Sequence, residues 1–465
     1  MENSNPIIVG LDIGTTKIAC FIGQRAEGGK LRILGYGKTD SVGVEHGVVK
    51  NILLTAQSIG EAVNAASDQA GVNVHEVYVG IAGQHIKSIQ SQGSIMVDTH
   101  PIITEDDLNR LKDEQSRMML TPGEQIIHVI PQTYIVDGEE LSPEISPIGV
   151  AGKKLTANFH IVTGNMNNIR NINEAVRRAG LRVCGVVLEP IASSYAVLSD
   201  LDREAGVALV DIGGGTTDIA IFQDGIIRHT SVLAMAGNSI TKDILNGCNV
   251  LKNQAESLKI KFGSCLPESV SEDDIISIPG FRGAPPREIT QKTLANIIKG
   301  RTQMLFEEVN YDIQLSGLEK RLIGGVVITG GGAKLRNICD LASFITHCDT
   351  RIGTPNEHLV NGSKDELAHP MYATGIGLVL YGLEQSEHKR KYNDEGWGAN
   401  FPDESEQEPE PEKTVEQTIP DPEPEPEPEI IPEKDKEKKK NREIGKKVGD
   451  WLKKAFTQNI DEDDE

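Results

Sequence analysis

Short apolar runs typical of β-strands alternate with stretches of helical periodicity from the first residues to about residue 385. The runs at residues 7–11 and 326–329 are of the strand type, and each leads into a turn that contains glycine. Alternation of this kind predicts an α/β fold. The apolar runs are far shorter than the roughly 18 residues that a membrane-spanning helix needs, so any membrane contact is expected to be peripheral.

One pattern of strand, turn and strand occurs twice. The segment IVGLDIGTTKIACFI begins at Ile8, and the segment VALVDIGGGTTDIAIF begins at Val207, which is 199 residues later. In each copy an aspartate, Asp12 or Asp211, stands at the end of the first apolar run. Two equivalent hairpins predict two similar lobes that face each other across a cleft.

The turns of both copies have the composition of a phosphate-binding loop. Glycine lets the backbone approach a ligand closely, so that successive N–H groups and Thr hydroxyls can converge on phosphate oxygens. Asp12 and Asp211 could hold the water shell of Mg²⁺, and Lys17 supplies positive charge for the β- and γ-phosphates. Ordinary hairpin turns have a similar composition, but the repetition favours a ligand site. The candidate nucleotide-binding residues here are Asp12, Gly14, Thr15, Thr16, Lys17, Asp211, Gly213, Gly214, Gly215, Thr216 and Thr217.

A third glycine cluster, Gly330, Gly331 and Gly332, follows the apolar run at residues 326–329 and opens a stretch predicted to be helical from Lys334. A helix N-terminus with a bare backbone can lie against the α-phosphate and base of a nucleotide. Joints of strand, glycine and helix also occur in any α/β fold. Neither of the first two glycine turns is a Walker A loop, because the pattern G-x-x-x-x-G-K-[ST] does not occur in the sequence and apolar runs of the strand type follow these glycines.

The order of these motifs resembles the five-motif signature of the superfamily that contains actin, the sugar kinases and the heat-shock chaperone ATPases. That order is the Asp12 hairpin, LEPIA from Leu188, the Asp211 hairpin, TGGGA from Thr329 and HPMYATG from His369. The resemblance implies two ribonuclease-H-like lobes that clamp Mg-ATP. Within this superfamily the chain resembles the FtsA family of bacterial cell-division proteins, over residues 5–385 and the extreme C-terminus.

The resemblance to the FtsA family assigns two further pairs of residues to the nucleotide site. Gly237 and Asn238 precede the helix that matches the family's nucleotide-binding helix, and Glu256 and Lys259 lie on it. Glu256 and Lys259 are i, i+3 neighbours on one helical face, so both could reach a ribose. A salt bridge on a solvated helix is the alternative interpretation of this spacing.

Glu189 is the candidate catalytic residue. By resemblance to the superfamily's first connecting motif, this acid lies opposite the γ-phosphate and orients the attacking water as a general base. Alternatively, Glu189 could be a capping residue at a helix start before Pro190. The family resemblance implies at most slow ATP hydrolysis, with ATP acting mainly as an assembly switch.

Residues 83–162 form a block that neither lobe motif requires. Its β-α-β-β pattern resembles the small subdomain that distinguishes the FtsA family from actin and the chaperones, and its expected role is a contact surface. Thr104 and Asp107 are expected to cap its helix. The predicted elements are a strand at residues 86–97, a helix at 105–119, and strands near 125–136 and 154–162.

The charge of the chain is unevenly distributed. The formal net charge is −22, which argues against a nucleic-acid partner. Residues 401–433 carry thirteen acidic residues against one lysine, whereas residues 434–456 carry ten basic residues against four acids. Because residues 386–443 are charged, rich in proline and without an apolar face, they are predicted to be a disordered linker.

From Ile444 the chain regains helical periodicity, with one apolar stripe flanked by lysines. A basic face with Trp and Phe in the stripe is typical of a helix that lies in a bilayer interface, here next to anionic lipids. Residues 444–460 are therefore predicted to be an amphipathic membrane-targeting helix. A helix that docks in a protein groove is the alternative. The candidate membrane-contacting residues are Ile444, Val448, Trp451, Leu452, Phe456, Lys446, Lys447, Lys453 and Lys454.

The superfamily resemblance also predicts how the chain is divided. The predicted boundaries are 1–82 and 163–204 for lobe I, 205–240 and 301–366 for lobe II, 241–300 for a small subdomain of lobe II, and 367–385 for a helix that returns to lobe I.

These patterns and resemblances predict an actin-like ATP-binding protein of cell division. It is expected to polymerise at the cytoplasmic side of the cell membrane, as a peripheral protein, and to anchor the FtsZ ring there. The resemblance implies three partners, namely the FtsZ C-terminal peptide, other division proteins and further copies of the chain. It places the peptide near residues 241–300, where Lys292, Lys299 and Arg301 are candidate cations for an acidic ligand. A sugar-type kinase and a pilus-assembly scaffold of the same superfamily are the alternatives. The insert and the terminal helix disfavour the kinase. The scaffold has a similar insert and is disfavoured by the linker and the terminal helix.

Overall fold

Two five-stranded sheets form the framework of the computed structural model, which describes residues 5–394 except residues 27, 98–100, 281–284 and 361–364. All of the described residues belong to one unit, Met1–Ala399. The strands, in chain order, are β1 (Ile8–Ile13), β2 (Lys17–Arg25), β3 (Leu31–Asp40), β4 (Val44–Glu45), β5 (Val48–Val49), β6 (Glu76–Ile81), β7 (Lys87–Met96), β8 (Glu124–Val136), β9 (Glu139–Glu140), β10 (Lys154–Asn165), β11 (Arg182–Leu188), β12 (Val207–Ile212), β13 (Thr217–Gln223), β14 (Ile226–Leu233), β15 (Ile275–Ile278), β16 (Arg287–Thr290), β17 (Val326–Thr329) and β18 (Thr350–Ile352). The helices are α1 (Ile52–Ala70), α2 (Glu105–Ser116), α3 (Met166–Arg178), α4 (Glu189–Val197), α5 (Asp200–Ala205), α6 (Gly237–Cys248), α7 (Lys252–Phe262), α8 (Gln291–Leu315), α9 (Ile338–Thr346) and α10 (Ala373–Asp394).

The two large sheets have the same topology. The sheet of lobe I has the order β11-β6-β1-β2-β3, and the sheet of lobe II has the order β18-β17-β12-β13-β14. In each, three consecutive strands form an antiparallel meander, and two later strands extend the sheet in parallel to the first strand of the meander. The expectation of two similar lobes is therefore confirmed.

The central strands β1 and β12 are buried on both faces, which explains why they appear in the sequence as continuous apolar runs rather than as alternating ones. Helix α1 of lobe I begins where the Asn51 side chain accepts a hydrogen bond from the Leu54 N–H. It ends at Gly71, whose left-handed backbone (φ 68°) stops the helix. Local capping chemistry thus sets the length of the helix that covers the sheet.

Helices α4 and α10 pack closely against each other and contribute to the core that both lobes share. A β-carbon at Gly377 of α10 would lie only 1.8 Å from the Ala192 carbonyl oxygen of α4, so the approach of these two backbones requires glycine. This close packing brings the hydroxyls of Ser193 and Thr374 to the site described below.

The insert has the predicted β-α-β-β pattern, with the short strand β9 in addition, and its sheet has the order β7-β10-β8-β9. Thr104 and Asp107 form a capping box at the start of α2, as expected. The insert has its own apolar core. It also contacts lobe II, because the Gln132 side chain donates to the Ile227 carbonyl (2.7 Å) and the His160 ring lies 2.9 Å from the Thr230 hydroxyl.

Helix α10 extends further than the sequence predicted. Residues 386–394 are helical rather than part of the linker. Arg25 of β2 donates two hydrogen bonds, of 2.6 and 3.1 Å, to the Glu387 carboxylate and so ties this part of the helix to lobe I. The predicted linker from residue 395 onwards and the predicted membrane-targeting helix at 444–460 lie outside the described residues. Among the helices of the described residues, none is both long and apolar enough to cross a membrane.

The stability of the folded chain is expected to depend on pH, because the insert contains the buried histidine His128. Burial, with smaller effects of Lys112 and His160, lowers the pKa of His128 from 6.5 to about 4, and its Nε2 accepts a hydrogen bond from the Leu188 N–H (3.0 Å). The unfolded chain therefore binds more protons than the native chain between these two values, and the free energy of unfolding falls as the pH is lowered through this window. We expect the loss between pH 7 and pH 5 to be about 2 kcal/mol smaller in His128→Gln than in the parent, by urea unfolding at both pH values. Equal losses would show that His128 titrates normally.

Candidate functional site

A cavity of about 460 Å³ lies where the turns that follow β1 and β12 meet. Its volume is typical of small-molecule sites. Many of the residues that the sequence analysis assigned to nucleotide binding or catalysis line it. They are Asp12, Gly14, Thr15, Thr16, Lys17, Glu189, Asp211, Gly213, Gly214, Gly215, Thr216, Gly237, Asn238, Glu256, Lys259, Gly330, Gly331 and Gly332.

The two turns have corresponding backbone hydrogen bonds. In lobe I the Gly14 N–H donates to the Lys17 carbonyl at 3.0 Å, and in lobe II the Gly213 N–H donates to the Thr216 carbonyl at 3.0 Å. Both pairs occupy the same place in the repeated segment. The repeat in the sequence is therefore a repeat in backbone geometry, and we call these two turns the phosphate loops of lobes I and II.

The two phosphate loops are in direct contact across the cleft. A β-carbon built on Gly214 would lie 2.3 Å from the side chain of Thr16, and one built on Gly215 would lie 2.4 Å from Thr15. Any side chain at these positions would push the loops apart. Gly214 and Gly215 of lobe II are therefore required by the close approach of the lobes.

The structure does not bring Thr217 to the cavity. This residue is fully buried in β13, and its hydroxyl donates to the Met235 carbonyl at 2.7 Å. Its position in the strand turns the side chain away from the phosphate loop, although its neighbour Thr216 lines the cavity.

Asp12 and Lys17 form a buried ion pair at the lobe I side of the cavity. The Lys17 Nζ lies 2.6 Å from Asp12 Oδ2, and the side chains are 19% and 5% exposed. Burial alone would lower the pKa of Lys17, but the negative charges of Asp12, Asp211 and Glu189 raise it above its usual value. Lys17 is therefore a permanent positive charge inside the cleft.

Asp211 is held by hydroxyls from the two packed helices. Its Oδ2 accepts hydrogen bonds from Ser193 of α4 (2.5 Å) and from Thr374 of α10 (3.1 Å). The pKa of Asp211 is raised, mainly by burial and also by the charge of Asp12, whereas the hydrogen bonds from the two hydroxyls lower it. The carboxylate that ends β12 is thus fixed by elements outside its own lobe's sheet.

Glu189 and Asp218 complete an acidic cluster. Burial, followed by the charges of Asp218, Asp12 and Asp211, raises the pKa of Glu189 well above its usual range. Burial and the nearby Asp211 raise the pKa of Asp218 in the same way. Glu189 is the first residue of α4, which is the helix-start position of the alternative interpretation. Its side chain also lines the cavity. A raised pKa suits a group that accepts a proton near neutral pH.

The charge of this cluster suits a hydrated divalent cation. Four carboxyl groups face one ammonium group, and Asp218 Oδ1 is buried with no hydrogen-bonding partner among the described residues. Over the same part of the chain, no three acidic, histidine or cysteine side chains converge closely enough to hold a metal directly. A hydrated divalent cation such as Mg²⁺ would suit this charge, with Asp12 and Asp211 beside it.

Glu256 and Lys259 of α7 line the far side of the cavity and also form the ion pair of the alternative interpretation, at 2.8 Å. Lys259 Nζ donates to the Gly237 carbonyl (3.0 Å) and to the Thr241 hydroxyl (2.8 Å), and this hydroxyl lies 2.5 Å from the Glu256 carboxylate. The network joins α7 to the start of α6. Asn238, at that start, donates its backbone N–H to the carbonyl of Gly214 in the phosphate loop.

The third glycine cluster does not open a regular helix at Lys334. Residues Gly331–Lys334 form a single 3₁₀ turn, and α9 begins only at Ile338. A β-carbon at Gly332 would lie 2.3 Å from the Ile212 side chain, so the backbone of this turn packs against the end of β12. A short turn therefore occupies the place for which a helix N-terminus was predicted.

Several residues of the site were missed by sequence reasoning. Asp218 belongs to the second copy of the repeat, and its position as an acid beside the apolar run at 219–222 could have marked it as a site residue. Gly47 also lines the cavity, and its position next to His46 predicts only an ordinary turn. Thr374 lies in the HPMYATG motif, but the motif did not indicate its contact with Asp211, which arises from helix packing.

The three candidate cations of the small subdomain are each paired with an acid. Lys292 contacts Glu272, Lys299 Nζ lies 3.0 Å from Glu268, and Arg301 binds Asp243 through two hydrogen bonds of 2.6 and 3.1 Å. An acidic ligand would have to exchange with these carboxylates.

Comparisons with known proteins agree with this architecture. A family model described as "Cell division protein FtsA" matches residues 208–377, one described as "SHS2 domain inserted in FTSA" matches residues 83–163, and one described as "Hsp70 protein" matches residues 165–240. The second match covers the β-α-β-β insert. The third spans α4, the second repeat and the start of α6.

Curated relatives are similar over most of their length. A cell division protein FtsA of Pseudomonas aeruginosa is 38% identical over 382 residues, which cover 82% of this chain and 90% of the relative. The protein of the same description from Escherichia coli K12 is 33% identical over 385 residues, which cover 81% and 90%. A solved structure described as "PilM-PilN type IV pilus biogenesis complex" aligns with a TM-score of 0.59 at 17% identity, over 81% of this chain and 98% of that chain. The last similarity shows the shared actin-like fold alone.

Proposed function

Because this chain belongs to the FtsA family of cell-division proteins, we propose that it binds Mg-ATP in the cavity between its lobes, polymerises in that state and anchors the FtsZ ring to the cytoplasmic face of the membrane. The observation that carries the nucleotide part is the meeting of the two phosphate loops in one cavity, each with an aspartate at the end of its strand. Membrane and FtsZ binding are supported by the family and by the amphipathic pattern at residues 444–460.

The proposed chemistry is hydrolysis of the terminal phosphate. Backbone N–H groups and Thr hydroxyls of the two loops, together with the Lys17 ammonium, bind the phosphate oxygens. Water attacks the γ-phosphorus, the bond to the β–γ bridging oxygen breaks, and Glu189 accepts the proton that the water loses. When Mg²⁺ is bound, it neutralises phosphate charge, and Asp12 and Asp211 would hold its water shell. Turnover is slow, so that ATP acts mainly as an assembly switch.

The alternatives receive less support. Relatives that are 33–38% identical over four fifths of the chain are cell-division proteins, whereas the pilus complex shares only the fold. A sugar-type kinase would use the same acidic cluster to activate a substrate hydroxyl. It has no need for the insert, which the SHS2 model matches.

A paired tryptophan substitution tests the membrane part of the proposal. The chain has two tryptophans, Trp397 in the linker segment and Trp451 in the apolar stripe. We expect Trp451→Glu to abolish flotation of the ATP-bound protein with anionic vesicles, because a charge in the apolar stripe opposes its burial in the bilayer interface and a polymer multiplies the effect. Trp397→Glu is the matched control and should float like the parent.

The salt dependence separates the two components of the anchor. Neutralising Lys446, Lys447, Lys453 and Lys454 should weaken binding mainly at low salt and on anionic lipid. Vesicle binding that survives in Trp451→Glu would instead indicate a purely electrostatic tail, and a parent protein that does not float with ATP would overturn the membrane proposal.

A further inference from the structure

A short hairpin of lobe I lies between the two phosphate loops. Strands β4 and β5 are joined by the two residues His46 (φ 47°) and Gly47 (φ 73°), which are both left-handed. Two consecutive left-handed residues are the geometry of a type I′ hairpin turn. The proposed chemistry assigns no role to this turn, which we call the His46–Gly47 turn.

The His46–Gly47 turn is hydrogen-bonded to both loops. The His46 Nδ1 lies 3.1 Å from the carbonyl oxygen of Gly215, in the phosphate loop of lobe II. A carbonyl can only accept, so the ring donates through Nδ1. The Gly47 N–H donates to the Thr15 hydroxyl oxygen at 3.0 Å, in the phosphate loop of lobe I. One turn therefore connects the phosphate loops of the two lobes.

The same turn also packs on the root of the insert. A β-carbon at Gly47 would lie 3.1 Å from the carbonyl carbon of Ala82 and 3.2 Å from the Gly83 nitrogen. A β-carbon at Gly83 would in turn lie 3.3 Å from the His46 carbonyl oxygen. Ala82 and Gly83 lie where the chain leaves lobe I for the insert, so a movement of the turn would displace the backbone at this junction.

We propose that the His46–Gly47 turn is an interlobe clasp that positions the two phosphate loops and slows the release of nucleotide. The proposal rests on the proposed binding of ATP. Opening of the cleft moves Gly215 away with lobe II, whereas His46 stays with lobe I, and their hydrogen bond must then break. Accepting the Gly47 N–H also fixes the Thr15 oxygen, from which the hydroxyl can donate its hydrogen to a phosphate. His46 thus acts as a positioning residue for both loops.

The chain offers a matched pair of variants. His46→Gly removes the ring but keeps a residue that adopts a left-handed backbone easily. Asp224→Gly makes the same change in the two-residue turn between β13 and β14, where Asp224 (φ 56°) precedes Gly225 (φ 74°), and Asp224 does not line the cavity. Both variants therefore alter a turn of the same kind, and only one of them alters the clasp.

The first measurement is the dissociation rate of a fluorescent ATP analogue with Mg²⁺, chased by unlabelled ATP. Loss of one interlobe hydrogen bond should accelerate release about two- to tenfold in His46→Gly. Asp224→Gly should release the analogue like the parent. Thermal unfolding is measured alongside, because a turn that only stabilises lobe I would lower the unfolding midpoint without changing the dissociation rate.

The second measurement needs no nucleotide and therefore separates this proposal from the proposed function. Amide hydrogen exchange of the nucleotide-free proteins should be faster in His46→Gly than in the parent for the segments 43–49 and 212–217, and unchanged in Asp224→Gly. If the parent binds no ATP, the proposed nucleotide binding is wrong, but the exchange data still show whether the His46–Gly47 turn holds the two loops together. Exchange that is equal in His46→Gly and the parent, or faster exchange with unchanged nucleotide release, would overturn the proposal.

Discussion

Glu189→Gln is expected to slow ATP hydrolysis about 100-fold or more and to leave ATP affinity unchanged or slightly higher. A positioned general base contributes roughly 10²–10⁴ to the rate, and glutamine has the shape of glutamate but cannot accept the proton of the attacking water. The side chain lies against Gly80, whose ideal β-carbon would be 3.1 Å from Glu189 Cγ, so an isosteric replacement preserves this packing. Removing a carboxyl from a cluster with Asp12, Asp211 and Asp218 also relieves repulsion towards phosphate. Single-turnover phosphate release and calorimetric ATP titration measure the two quantities.

The pH dependence of the rate provides an internal check on Glu189. Because the pKa of Glu189 lies well above its usual range, the fraction of its basic form, and with it the rate, should rise with pH above the usual range of a carboxyl group. This rise should be absent in Glu189→Gln. Equal rates in variant and parent would reduce Glu189 to a residue of the first turn of α4, and rapid phosphate transfer to a sugar would move the function to the kinase alternative.

Asp211→Asn is expected to weaken ATP binding in the presence of Mg²⁺ about tenfold or more, and to remove most of the dependence of this affinity on Mg²⁺. Asparagine keeps an oxygen that can accept from Ser193 and Thr374 but loses the charge that attracts the hydrated cation. Asp211→Ala would in addition leave these two buried hydroxyls without their acceptor, which lowers stability for an unrelated reason. Calorimetry with Mg²⁺ and with a chelator gives both affinities.

Ser193→Ala is the control for Asp211→Asn. It removes one hydrogen bond from the carboxylate and keeps the charge, so the Mg²⁺ dependence should persist and the affinity should fall by less than tenfold. An Asp211→Asn protein that binds ATP with the same Mg²⁺ dependence as the parent would exclude Asp211 from the proposed metal site.

Features that depend on residues close together in the chain could be predicted from the sequence alone. The α/β class, the two phosphate loops and the insert follow from apolar periodicity, from glycine in turns and from the repeat of one segment. Each of these signals is contained in a short stretch of consecutive residues. Asp12 and Asp211 could be assigned because each ends its own strand. The superfamily resemblance added Glu189, and the FtsA resemblance added Glu256 and Lys259; the structure brings all three to the same cavity.

Features that depend on contacts between distant segments were decided only by the tertiary structure. The Ser193 and Thr374 hydroxyls reach Asp211 because α4 and α10 pack together, and the motifs in or beside which these residues lie do not indicate this contact. Glu387 bonds to Arg25 and ties the last part of α10 to lobe I, although its sequence neighbours look like a linker. The bond from His46 to Gly215 joins residues of different lobes. In each case the hydrogen bond forms only once distant segments of the chain have packed together, so the local sequence pattern does not predict it.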